Sequence, residues 1–172
     1  MALDPSKLRH TTWIATWKAQ AADVVLEATD AVDPTGFELI FHELKVGVTG
    51  PQKLGERFVG AEGMITVEQR EIGEALLRAL TPWAGATGSY HLTPPRGTDL
   101  YGYARELVLH PADLAANVTT EDLHFLKTVP IIKAPDGDGE EDNVLTVEFW
   151  IYPDRNQLPE LRFGYRGNSA PA

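Results

Sequence analysis

Apolar residues recur at every second position through most of this chain, a period that commits it to a β-sheet with one buried face. The clearest run is Leu145, Val147, Phe149 and Ile151, with Thr146, Glu148 and Trp150 between them. Phe37, Leu39 and Phe41 alternate in the same way, and Leu44, Val46 and Val48 then continue in the opposite phase. A phase slip inside one strand is what a β-bulge produces, which predicts a bulge near His42 and Glu43. Ile65 and Val67 alternate with Thr66 and Glu68. Tyr101, Tyr103, Leu107 and Leu109 are expected on one face of the next strand, and Leu123, Phe125, Val129 and Ile131 on one face of another. A shorter strand is predicted at Leu161, Phe163 and Tyr165, and a weaker one at Val24 to Leu26. Trp13 to Trp17 fits a strand or a helix.

One segment breaks the period of two. Ile72, Ala75, Leu76, Ala79 and Leu80 recur at three- and four-residue spacing, with Glu71, Glu74 and Arg78 off that stripe. This is the pattern of an amphipathic helix, with acids where the helix dipole favours them and Pro82 to end it. One helix among six or so strands is a mainly β, α+β layout. Two long connections separate strands: a glycine-rich loop over Gly47–Gly63, and an acidic loop over residues 134–143. Both read as exposed hairpin connections. At 172 residues, with no internal repeat or linker, the chain is expected to form a single domain over 1–172, in which residues 1–34 give no firm pattern.

Composition then removes whole classes of function. The net charge of −10 leaves no basic patch for holding a polyanion tightly. With no cysteine there is no disulfide, thiolate catalysis or cysteine-ligated zinc. Met1 to His10 lacks the apolar stretch of a secretion signal, and no apolar run reaches the length of a membrane span, so folding in a cytoplasm without membrane insertion is expected. Asn117-Val118-Thr119 is then a chance glycosylation sequon. His10, His42, His91, His110 and His124 show no metal-ligand spacing. Asp136, Asp138, Glu140, Glu141 and Asp142 lack the order of a calcium loop and read as a solvated tip. Gly85 to Ser89 lacks the lysine of a phosphate loop and follows a helix instead of preceding one. No G-x-S-x-G elbow marks a nucleophile. Trp13, Trp17, Trp83 and Trp150 read as core or subunit contact before they read as a ligand cage. The expectation is a protein without cofactor or metal that is not an enzyme.

The stretch from Phe37 to Leu80 resembles the phage major tail tube protein family. A strand ends in Glu43-Leu44-Lys45-Val46-Gly47, a loop with conspicuous glycine and arginine follows from Gly50 to Gly60, and a returning strand from Met64 leads into the helix. LVLHPADL (Leu107 to Leu114), DLHFLKTVP (Asp122 to Pro130) and VLTVEFWIYPD (Val144 to Asp154) are similar to the closing strands of that family. The resemblance implies a two-sheet antiparallel β-sandwich flanked by one α-helix, with a long hairpin loop, assembling as stacked hexameric rings whose inner sheets join around a DNA-conducting channel. It also implies a location in the virion tail after assembly in the host cytoplasm. The implied partners are sister copies, the tape measure protein, and the tail tip and terminator proteins, with DNA passing through untethered.

On this chain the resemblance gives the inter-subunit role to Gly50, Pro51, Lys53, Leu54, Gly55, Glu56, Arg57, Phe58 and Gly60, with Leu54, Arg57 and Phe58 as anchors. Burial of Leu54 or Phe58 in a partner is worth roughly 1.5–3 kcal/mol each. A channel that conducts DNA must not grip phosphates, so acidic residues on the polar phase of strands are expected to face it: Glu62, Glu68, Glu106 and Glu148. Alternatives in the same class are a secretion-system tube protein and a tail terminator or head–tail connector ring. From a different class comes a small-molecule-binding β-barrel, which would need a deep apolar pocket with convergent polar groups.

Overall fold

The computed structural model describes residues 12–27, 32–33, 37–46, 52–69, 73–84, 92–133, 145–156 and 162–168, and the side chains of those outside 27–62. The acidic loop over 134–143, Gly85 to Ser89, His10 and His91 lie outside the described residues. The strands are β1 (Trp13–Trp17), β2 (Val24–Glu27), β3 (Val32–Asp33), β4 (Phe37–Val46), β5 (Gln52–Gln69), β6 (Arg105–Pro111), β7 (Leu123–Ile132), β8 (Leu145–Tyr152) and β9 (Gly164–Arg166). One α-helix, α1 (Glu74–Ala79), and a 3-10 helix (Leu100–Tyr103) complete the described elements.

Every strand pairing is antiparallel. The order across the sheet is β2-β1-β6-β7-β8-β5-β3, with β4 paired to β5 and β9 to β7. β2, at one edge, comes into contact with β5 near the other, so the sheet curls into a half-barrel. Inside the curl lie Trp17, Leu26, Ile65, Val67, Leu107, Leu109, Val147 and Phe149, all exposed by 1% or less. The alternation that predicted β8 holds residue by residue: Leu145, Val147, Phe149 and Ile151 are buried and Trp150 is exposed. Trp13–Trp17, open between strand and helix in the sequence, is a strand because Ala15 and Trp17 complete this core opposite Leu109 and Leu107.

α1 covers the core with Leu76, Leu77, Ala79 and the fully buried Leu80. Glu74 sits in its first turn and pairs with Arg78 across 3.0 Å. The helix stops where the Thr81 hydroxyl donates to the Leu77 carbonyl at 2.9 Å and Pro82 removes the next donor. Ile72 and Glu71, expected in the helix, lie outside the described residues.

Two sequence expectations fail for reasons of local geometry. Tyr101 and Tyr103 are in the 3-10 helix, not a strand, because Asp99 accepts from the Tyr101 amide at 3.1 Å and caps the turn. In β7 the four predicted residues do not share a face. Between the pairs Leu107↔Phe125 and Arg105↔Thr128, β6 advances two residues and β7 three. That extra residue hands the core side to Thr128, Pro130 and Ile132. Val129 and Ile131 stand instead opposite Trp150 and Glu148 on the other face, where Val129 is nonetheless covered. Thr128 anchors the irregularity: its hydroxyl donates to the Arg105 carbonyl at 3.0 Å, and its own carbonyl accepts from Trp17 Nε1 at 3.3 Å.

Truncating the centre of the core tests this packing. Phe149→Ala is expected to cost about 3–5 kcal/mol, and Val25→Ala, on the half-exposed outer face of β2, under about 0.5 kcal/mol, both read from urea unfolding.

Candidate assembly surface

β5 serves two bodies. Its last six residues, Met64 to Gln69, pair with β8, and Thr66 and Val67 pair also with β3. Its first twelve, 52–63, pair with β4 alone among the described strands. No other described element packs substantially on β4. The result is a two-stranded arm whose ten-residue strand β4 spans about 33 Å at roughly 3.3 Å per residue. Both of its outer edges carry unpaired backbone groups among the described strands, the condition under which a strand recruits another chain.

Residues 52–63 are therefore strand where the sequence reading expected loop; glycines at 55, 60 and 63 lower strand propensity without preventing pairing. The bulge expected within β4 near His42 and Glu43 is not found in that strand; two register shifts flank these residues instead, between Ile40 and Phe41 and between Leu44 and Lys45. The extra residues, Val59 and Leu54, belong to β5 and not to β4. Of the expected interface residues, Lys53 stands opposite Lys45, Gly55 opposite Leu44, Glu56 opposite Glu43, Arg57 opposite His42, Phe58 opposite Phe41 and Gly60 opposite Ile40. Gly50 and Pro51 lie outside the described residues. The arm thus gathers the other expected interface residues on one ribbon.

The four carboxylates expected on a channel divide differently. Glu62 belongs to the arm, opposite Glu38. Glu68, Glu106 and Glu148 are partly buried and alternate with inward residues of β5, β6 and β8, so they share the outer face. Two of the three are engaged. Glu148 lies 3.2 Å from Lys133 Nζ and accepts from Trp150 Nε1 at 3.2 Å. Glu106 lies 2.8 Å from His124 Nδ1, and the His124 ring stacks on Tyr165 with centroids 4.4 Å apart. Burial first, and then the Glu106 charge, raises the Tyr165 phenol above its ordinary value; burial and then Asp99 raise Tyr152.

A second histidine–carboxylate pair on the same strands escaped the sequence reading. His110 Nδ1 lies 2.7 Å from Asp122 Oδ1, and Nε2 lies 3.3 Å from the Leu114 carbonyl, so the ring bridges the two ends of the β6–β7 connection. The two pairs are reciprocal: β6 supplies Glu106 and His110, while Asp122 and His124 come from the start of β7. Only strand register brings them together, since twelve and eighteen residues separate the partners.

Among the described residues no group of three or more metal-ligating side chains converges, and no helix is long and apolar enough to cross a membrane. A cleft of about 340 Å³ beside β9 is lined by Leu123, Phe125, Phe163 and Tyr165, with His124 committed to Glu106 at its wall. Neither the family models nor the curated proteins contain a match to this chain.

Asp122 is buried beside His110, with its side chain 6% exposed. Asp122→Ala is expected to cost about 1.5–3 kcal/mol, the range for a hydrogen bond to a charged group, and Glu106→Ala, which is one-third exposed, less than about 1 kcal/mol. Chemical denaturation of both variants checks the order.

Proposed function

We propose that this chain is a structural subunit of a phage tail tube, assembling as stacked hexameric rings around a channel that conducts DNA. The observation that carries the reading is the arm: a two-stranded ribbon is marginal in water on its own, and this one leaves its edges unpaired among the described strands, beside a well-packed body. Completion by sister copies supplies what the monomer lacks, and a closed ring removes exposed edges altogether.

In this reading the limbs of the curled sheet act as the two facing layers of a β-sandwich, with α1 on the flank. The arm reaches a neighbouring subunit or the next ring. The outer face with Glu68, Glu106 and Glu148 borders the channel, where net acidity keeps the duplex from being gripped. Lys133 beside Glu148 tempers that acidity. The remaining partners are the tape measure, tail tip and terminator proteins of the virion tail, built in the host cytoplasm. In this reading function arises from assembly.

Negative-stain microscopy of the concentrated protein is expected to reveal filaments of stacked rings. Replacing residues 40–60 by Asn-Gly, a two-residue hairpin turn joining the opposed Leu39 and Ala61, is expected to leave a folded monomer without filaments. Filaments that persist without the arm, or a parent protein that stays monomeric when concentrated, would overturn the proposal.

A further inference from the structure

The register of the arm sets like charges opposite one another. From tip to root its rungs run Val46/Gln52, Lys45/Lys53, Leu44/Gly55, Glu43/Glu56, His42/Arg57 and Phe41/Phe58, and a further acidic rung, Glu38/Glu62, lies near the root. Opposed like charges weaken a strand pair, and opposite charges would have been equally easy to place. Here a doubly basic rung and a doubly acidic rung stand two residues apart along β4, about 6.8 Å at roughly 3.4 Å per residue, and three residues apart along β5, where Leu54 is the extra residue. A ribbon built this way is poor at holding itself together. Near its tip it is banded across both strands instead, a basic rung and then an acidic one in the same order along β4 and along β5.

We propose that copies of this chain recognise one another through these bands: two arms lie side by side, one charged rung out of step, so that Lys45 and Lys53 of one arm border Glu43 and Glu56 of the next. The inference rests on the ring assembly proposed above and specifies its arm contact. A second copy is the favoured occupant because a single arm carries both signs at the spacing the contact needs. In step, the bands repel; displaced by one charged rung, they attract. That displacement agrees with geometry, because strands joined around a closed barrel must be staggered. The bands also oppose wrong registers, since like-charge juxtaposition penalises alternatives more than complementary charge adds affinity.

A charge exchange tests the proposal. One variant carries Lys45→Glu and Lys53→Glu, the other Glu43→Lys and Glu56→Lys, and sedimentation velocity reads assembly of the full chain. Each variant alone is expected to remain monomeric where the parent assembles, because the two bands nearest its tip now have the same sign and a displaced neighbour no longer complements them. An equimolar mixture is expected to recover assembly, and added salt to weaken the parent's assembly. Either variant assembling as the parent does, or a mixture of two folded variants staying monomeric, would overturn the inference. Should a double variant misfold, Lys53→Glu alone decides: it removes one like-charge rung and is expected to raise the critical concentration about tenfold, and an unchanged value would overturn the inference. A parent that never assembles sinks the ring reading as well, whereas a parent that assembles beside unaffected variants sinks only the charge register.

Discussion

The backbone hydrogen bonds of β5 tie two unlike bodies into one. At its C-terminal end the strand lies between β8 and β3, with Ile65 and Val67 in a closed core. Toward its N-terminus it leaves that sheet and finds only β4. The change happens within one continuous strand, around Gly63 and Met64, so the arm and the wall of the core share one backbone. A partner gripping the arm therefore acts on the sheet itself and not on a loose tether. That continuity suits the tube subunit proposed above, because load between neighbours would pass through packed structure.

The body contributes a closed core and an outer face. Its interior closes with apolar side chains from β1, β2, β5, β6 and β8 beneath α1. On the outside, Lys133 and His124 sit beside Glu148 and Glu106, and His110 beside Asp122. These groups staple β6 to β7 and β7 to β8 across the curl. The same charges that would draw attention as a catalytic cluster are spent on neighbours within the sheet, which fits a molecule proposed to act by assembling.

Much of the fold was legible from period alone. β8 and β5 announce their buried faces through Leu145 to Ile151 and through Ile65 and Val67, and α1 through the spacing of Ala75, Leu76, Ala79 and Leu80. What period could not give was the point where a strand gains a residue. A bulge near Thr128 reverses every face beyond it, so Val129 and Ile131 were assigned to the wrong side. Glycines in 47–63 suggested loop because propensity is local, whereas pairing with β4 is not. The candidate surface was half visible: the stretch carrying Leu54, Arg57 and Phe58 was singled out. The opposition of Lys45 to Lys53 and of Glu43 to Glu56 exists only once the register, with its two shifts, is known.

Amide hydrogen exchange, compared between dilute monomer and concentrated assembly, measures most directly whether the arm is completed by sister chains. Amides of residues 37–46 and 52–63 are predicted to exchange quickly in the monomer and to become protected on assembly, while those of β7 and β8 stay protected throughout. Arm amides equally slow in both states would mean that the monomer already satisfies its own edges, which contradicts completion by sister chains.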